Sequence, residues 1–109
     1  MNFRILSSVF VFTLAILGIA KAQSQIEVVG SVIEANTKKP VSFATVALID
    51  NDSNLPITGV VTEVDGTFKI NTVATNFFLT VSFLGFSDAK VTDLILKDKR
   101  IDVGTVILK

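Results

Sequence analysis

Thr58-Gly59-Val60-Val61-Thr62-Glu63-Val64-Asp65-Gly66-Thr67-Phe68-Lys69-Ile70 is the stretch on which the reading of the fold turns. Two runs with every second residue apolar flank Glu63-Val64-Asp65-Gly66, which has the composition of a tight reversal, so the stretch reads as a β-hairpin. Gly66 supplies the positive φ that closes a type I turn with a bulge, or that a type I′ turn needs, and the Asp65 carboxylate is placed to accept a nearby backbone N–H. With the reversal fixed, Phe68 and Ile70 share one face while Thr67, Lys69 and Asn71 share the other. One side of this strand is built to be buried.

Working outward, the same alternation recurs. Upstream, Ile26, Val28, Gly30 and Val32 fall on one face of a strand over residues 25–34, with Gly30 marking a bulge or a close backbone approach. Turn residues run to Pro40, which denies a ladder N–H. Val41 to Asp50 begins a second strand, with Ala44, Val46 and Leu48 on one side and Phe43, Thr45, Ala47 and Ile49 on the other. Gly59 lies in the next strand, after the polar Asp50–Asn54 turn. Downstream, residues 78–86 are the most hydrophobic segment after the N-terminal run, with Gly85 as a turn or bulge that returns Phe86 to the core. Ala89 and Val91 point inward from an extended 87–96. Ile101 and Val103 point inward from the last strand until Gly104 lets the phase slip to Val106 and Leu108. The tally is about seven strands with a turn signal every 8–12 residues or so and no helical period, which predicts an antiparallel β-sandwich. Phe68, Phe83 and Phe86 are expected in its core, and Phe77 and Phe78 partly exposed.

The N-terminus reads differently. Met1-Asn2-Phe3-Arg4 carries one positive charge, Ile5 to Ala20 is an apolar run, and Ala20-Lys21-Ala22 offers small residues where a signal peptidase reads. Residues 1–22 are therefore expected to be a cleaved signal peptide, with residues 23–109 as one exported domain; the rival is an uncleaved membrane anchor. Of the 109 residues, 87 then remain, with eight basic side chains against ten acidic ones. That net charge of −2 argues against nucleic acid as a partner. Contact with a membrane is expected by association only.

The chain has no His and no Cys, which removes His-based triads, thiol nucleophiles, disulfides and zinc sites with N/S ligands. Glu63 and Asp65 are the nearest carboxylate pair, but a turn in so small a domain offers no cleft for acid–base work. No catalytic residue, cofactor or metal ligand is assigned. Asp50-Asn51-Asp52-Ser53-Asn54 begins like a calcium loop, yet Leu55 stands where such a loop needs Gly and Val61 where it needs Glu.

Five blocks carry a resemblance: Gly30-x-Val32; Thr37-x-x-Pro40-Val41-x-Phe43-Ala44-Thr45-Val46; Gly59-x-x-Thr62-x-x-Asp65-Gly66-x-Phe68-x-Ile70; Leu79-x-Val81-Ser82-Phe83-x-Gly85-Phe86; and Val103-Gly104-Thr105-Val106-x-Leu108. In order and spacing they resemble the carboxypeptidase regulatory-like domain. The resemblance implies an all-β, seven-stranded, transthyretin-like Greek-key sandwich in which Gly30, Pro40, Ala44, Gly59, Thr62, Asp65, Gly66, Phe68, Gly85 and Phe86 have structural roles. In Gram-negative bacteria such domains often form the periplasmic N-terminal extension of TonB-dependent outer-membrane receptors. The resemblance therefore implies a non-catalytic interaction or structural module of the periplasm or outer membrane. Its partner would be a protein of the cell envelope, such as an outer-membrane receptor or barrel, met through a loop surface or an edge strand. The alternatives are a carbohydrate- or calcium-binding adhesin-like module and an accessory domain of a separate hydrolase. A sequence ending at Lys109, without plug or barrel, is expected to be either a truncated receptor N-terminus or a free-standing relative.

Overall fold

The computed structural model describes residues 24–109, and every regular element in them is a strand. The signal-peptide reading of residues 1–22 lies outside the described residues. The strands are β1 (Ile26–Glu34), β2 (Thr45–Asp50), β3 (Pro56–Val61), β4 (Thr67–Thr72), β5 (Phe77–Ser82), β6 (Ala89–Val91), β7 (Leu96–Lys97) and β8 (Arg100–Leu108). They form two four-stranded sheets, ordered β4-β1-β8-β7 and β3-β2-β5-β6. The inward sets of both sheets meet in one core, in which Val28, Val32, Val46, Leu48, Leu79 and Leu108 have no exposed surface. This is the sandwich that period-two alternation predicts.

The expected count of seven strands becomes eight through the two-residue β7. Between residues 87 and 96 only Ala89–Val91 is regular, because Leu96 pairs instead with Ile101 in the other sheet. All pairings are antiparallel except one: β1 and β8 run parallel. Alternation has the same period in both kinds of ladder, so it carries no information about direction.

The reversal at 63–66 forms, but the strands on either side of it are not a hairpin. Glu63 N–H donates to Thr67 C=O at 2.8 Å and Gly66 N–H donates to Glu63 C=O at 2.9 Å. Beyond the turn, however, β3 pairs with β2 and β4 pairs with β1, so the chain arches from one sheet to the other. Turn chemistry specifies that the chain reverses. Which strand it then joins is decided by burial, and here Val60 and Phe68 both pack on the core from opposite sheets.

The β1–β8 ladder slips between Val29↔Asp102 and Ser31↔Thr105, so that Gly30 faces both Val103 and Gly104. Gly104 takes φ 75°, and the slip carries the inward set from Ile101 to Val106 and Leu108. At Gly30 a Cβ would lie 2.7 Å from Phe68 Cζ, so the missing side chain makes room for the ring opposite it.

The aromatic expectations are partly reversed. Phe68 is buried and Phe86, half-buried, packs against the core as expected, but Phe83 is 38% exposed. β5 ends at Ser82, so Phe83 enters a turn, closed by Phe86 N–H to Phe83 C=O at 3.1 Å, before alternation can turn it inward. Phe77 and Phe78, expected partly exposed, are both buried. Phe77 joins Leu79 and Val81 in the core, while Phe78 lies on the opposite face of β5, where the Lys90 ammonium sits 4.4 Å from its ring centroid. The second strand starts at Thr45 rather than Val41, because Pro40 and Val41 bond to β1 and the backbone turns sharply at Phe43.

Candidate interaction surface

Side-chain and backbone hydrogen bonds converge on the corner where residues 40–44 meet residues 62–68. Thr62, 1% exposed, organises it. Its hydroxyl donates to Val41 C=O at 2.6 Å and accepts from Ala44 N–H at 2.9 Å. Its backbone C=O accepts from Phe43 N–H at 3.0 Å, and its N–H donates to Ala44 C=O at 2.9 Å. One buried threonine thus fixes both ends of a four-residue loop.

The adjoining turn is pinned from below. Gly66 has φ 81°, and a Cβ there would lie 2.7 Å from Val32 O and 2.9 Å from Pro40 Cβ, so glycine is required by conformation and by space. Val32 N–H donates to Gly66 C=O at 2.8 Å. Asp65 caps the turn by accepting from the Thr67 hydroxyl at 2.6 Å and the Thr67 N–H at 3.1 Å. Those two hydrogen bonds hold its carboxyl below the ordinary value of 3.8. Ser42 Oγ donates to Val64 C=O at 2.6 Å and closes loop against turn.

This scaffold presents apolar side chains to solvent. Phe43 is held at φ 61°, a left-handed conformation that costs a non-glycine residue about 1–2 kcal/mol, and its side chain is 62% exposed. Val61 and Val64 are 56% and 72% exposed at the same end of the sandwich. Across β2, where Thr45 pairs with both Val61 and Ser82, lies an open hollow of about 450 Å³ lined by Thr45, Ser82, Phe83, Leu84, Gly85 and Phe86. Leu84, at its rim, is 94% exposed. Phe83 and Phe86 pack against each other with centroids 6.2 Å apart.

Of the residues singled out by sequence, Pro40, Ala44, Thr62, Asp65 and Gly66 converge on this corner, and Gly30 and Phe68 support it through their mutual contact. Gly85 and Phe86 belong to the neighbouring tip. Gly59 stands apart on β3, where a Cβ would come 3.2 Å from Val46 O. The apolar residues on display, Phe43, Val64 and Leu84, escaped sequence reasoning as surface. The available signal was that each sits in or beside a turn, where alternation no longer assigns a face. In the 50–54 loop, the Asp50 carboxylate accepts from Asp52 N–H and Ser53 Oγ, and Asp52 accepts from Asn76 Nδ2. Among the described residues no group of three or more acidic side chains converges as a metal site would need.

The chain resembles solved structures through its fold alone. It superposes on a 9R-lipoxygenase from Cyanothece PCC8801 with a TM-score of 0.57 at 18% identity, covering 76% of this chain and 16% of that one. With the group B streptococcus pilus 2b backbone protein the TM-score is 0.50 at 20% identity, covering 75% and 40% respectively. With the dioxygenase domain of a dioxygenase carbohydrate-binding protein fusion from Streptomyces sp. SirexAA-E it is 0.54 at 10% identity, covering 81% of both. The chain thus spans well under half the length of the first two. No curated protein sequence matches it significantly. A family model for the CarboxypepD_reg-like domain matches residues 28–108, from the first core residue of β1 after Ile26 to the last residue of β8, and takes in every corner residue described above. The chain belongs to the CarboxypepD_reg-like domain family.

Proposed function

We propose that this domain is a non-catalytic, exported interaction module of the cell envelope, engaging a protein partner through the apolar end formed by Phe43, Val64 and the Phe83–Phe86 tip. The observation that carries this reading is Phe43. A left-handed backbone and a solvent-facing aromatic ring are both unfavourable in an isolated domain, yet Thr62 and Ser42 lock the loop that holds them. A preorganised exposed aromatic is what a binding anchor requires, since little further ordering is needed on association. The signal-like sequence of residues 1–22 and membership of a family that often precedes outer-membrane receptors support placing the domain in the periplasm or at the outer membrane.

The test uses the protein purified after expression of the full chain, with cell fractionation to locate it. Immobilised wild type and a Phe43→Ser/Leu84→Ser double variant are exposed to envelope extract and cross-linked, and captured proteins are identified by mass spectrometry. An outer-membrane or periplasmic protein should be retained by wild type and lost by the folded variant. Equal retention by both would remove this surface from the reading, and recovery of the protein in the cytoplasm would overturn its location.

A further inference from the structure

Two four-stranded open sheets leave four edges, and three of them carry the usual protection against pairing with another chain. β4 displays Lys69, which reaches Glu27 at 3.5 Å; β6 has only three residues, one of them Lys90; β7 has only two, one of them Lys97. β3 differs. It is six residues long, Pro-Ile-Thr-Gly-Val-Val, without a charge; its proline and the slip in its ladder with β2 are confined to its first two residues, and its Ile57 and Val61 are 41% and 56% exposed.

The hydrogen bonding fixes which backbone groups this edge offers. Thr62 N–H donates to Ala44 C=O, and the register then pairs Val60 with Val46 and Thr58 with Leu48. In an antiparallel ladder, bonding residues alternate, so Thr58 and Val60 bond to β2 while Gly59 and Val61 turn their N–H and C=O groups outward, and Ile57, passed over where the register slips between Leu48↔Thr58 and Ile49↔Pro56, has no partner on β2. Among the described residues, no backbone bond outside the ladders engages those three. Their side chains lie on the sheet face away from the core, since the core-facing member of the strand is Val60.

From this we infer that β3 is a self-pairing edge: two copies of the chain join antiparallel about a twofold axis at Gly59, merging two four-stranded sheets into one. The register is set by the sequence itself. With Gly59 opposite Gly59 of the second copy, Ile57 falls opposite Val61 and Val61 opposite Ile57. These are the outward-facing residues, so every pair is a hydrogen-bonded one. The apolar side chains meet on the same face, and no like charges oppose each other. An isologous contact of this kind closes at two copies and leaves no further β3 edge exposed. The inference goes beyond the envelope partner proposed above and depends neither on that partner nor on the apolar end at Phe43.

The experiment is sedimentation velocity on the purified protein across a concentration series, with far-UV circular dichroism verifying the fold of each variant. Wild type should move from monomer to dimer as concentration rises. Ile57→Lys/Val61→Lys places lysine against lysine in the proposed register and should remain monomeric. Ile57→Lys/Val61→Glu places lysine against glutamate and should dimerise again, in a salt-dependent way. Hydrogen exchange on wild type gives a readout that needs no variant: the Gly59 and Val61 amides should become protected as concentration rises, and the Lys69 amide on the β4 edge should not change. A wild type monomeric throughout would overturn the inference. So would a dimer indifferent to Ile57→Lys/Val61→Lys, or an Ile57→Lys/Val61→Glu variant that stays monomeric at every concentration.

Discussion

Thr62→Val changes a hydroxyl to a methyl at the most buried polar site described, and its cost follows from two hydrogen bonds. The hydroxyl serves Val41 C=O at 2.6 Å and Ala44 N–H at 2.9 Å, and Val41 and Ala44 are themselves 6% and 0% exposed. Valine fills the same space, so no cavity opens, but both backbone groups lose their partner out of reach of water. Each stranded group costs about 1–3 kcal/mol, giving about 2–6 kcal/mol against a total stability of about 5–15 kcal/mol for a typical domain. Thr62→Ser keeps both bonds and gives up one methyl, at about 1 kcal/mol. The chain has no Trp and no Tyr, so urea unfolding is best followed by far-UV circular dichroism. The Thr62→Val midpoint should fall sharply with the denaturant slope unchanged, and the Ala44 amide should exchange faster. A valine variant within about 0.5 kcal/mol of wild type, or a serine variant equally damaged, would refute the reasoning.

Other expectations follow from the same contacts. Phe68→Ala, at a site 4% exposed against Gly30, should cost about 3–5 kcal/mol, whereas Phe83→Ala at 38% exposure should cost about 1 kcal/mol; equal urea midpoints would place both rings wrongly. Gly66→Val must force a β-branched residue to φ 81° and a Cβ to within 2.7 Å of Val32 O, so it should unfold far more readily than Glu63→Ala, which should stay within about 0.5 kcal/mol of wild type. Asp65 has a depressed folded-state pKa, so its contribution is present above the ordinary value of 3.8 and is lost as pH falls through the lower folded value. Asp65→Asn should therefore flatten the acid limb of a stability-versus-pH curve; an unchanged limb would show that the cap carries no linkage.

How much of this was legible depended on what alternation can encode. The inward sets Val28 and Val32, Ala44, Val46 and Leu48, Phe68 and Ile70, and Val106 and Leu108 all follow from period two, and even the Gly104 phase slip shows as a break in that period. Partner choice did not show. The arch at 63–66 has hairpin turn chemistry, and only the competition among sheets for Val60 and Phe68 sends its arms apart. Faces were also misjudged wherever a strand ended earlier than its apolar run, as at Ser82, beyond which Phe83 and Leu84 belong to a turn. Thr62 was recognisable through its place in a family pattern, but its pairing with Val41 and Ala44 depends on a sharp backbone bend at Phe43 that no propensity favours.

That bend separates what the fold needs from what it displays. If Phe43 were structural, truncating it would cost as other aromatic truncations do, about 3–5 kcal/mol. Its position argues for another balance. The ring is 62% exposed, so the burial lost with it is worth about 1 kcal/mol, while glycine at φ 61° removes a left-handed penalty of about 1–2 kcal/mol and adds about 0.5–1 kcal/mol of chain entropy. These terms nearly cancel, and the loop remains held by Thr62 and Ser42, whose side chains bond to backbone atoms that glycine leaves in place. Phe43→Gly should therefore leave the urea midpoint within about 0.5 kcal/mol of wild type while reducing capture of the proposed partner. A loss of stability above about 2 kcal/mol would make the ring part of the core and take away the observation on which the interaction reading rests.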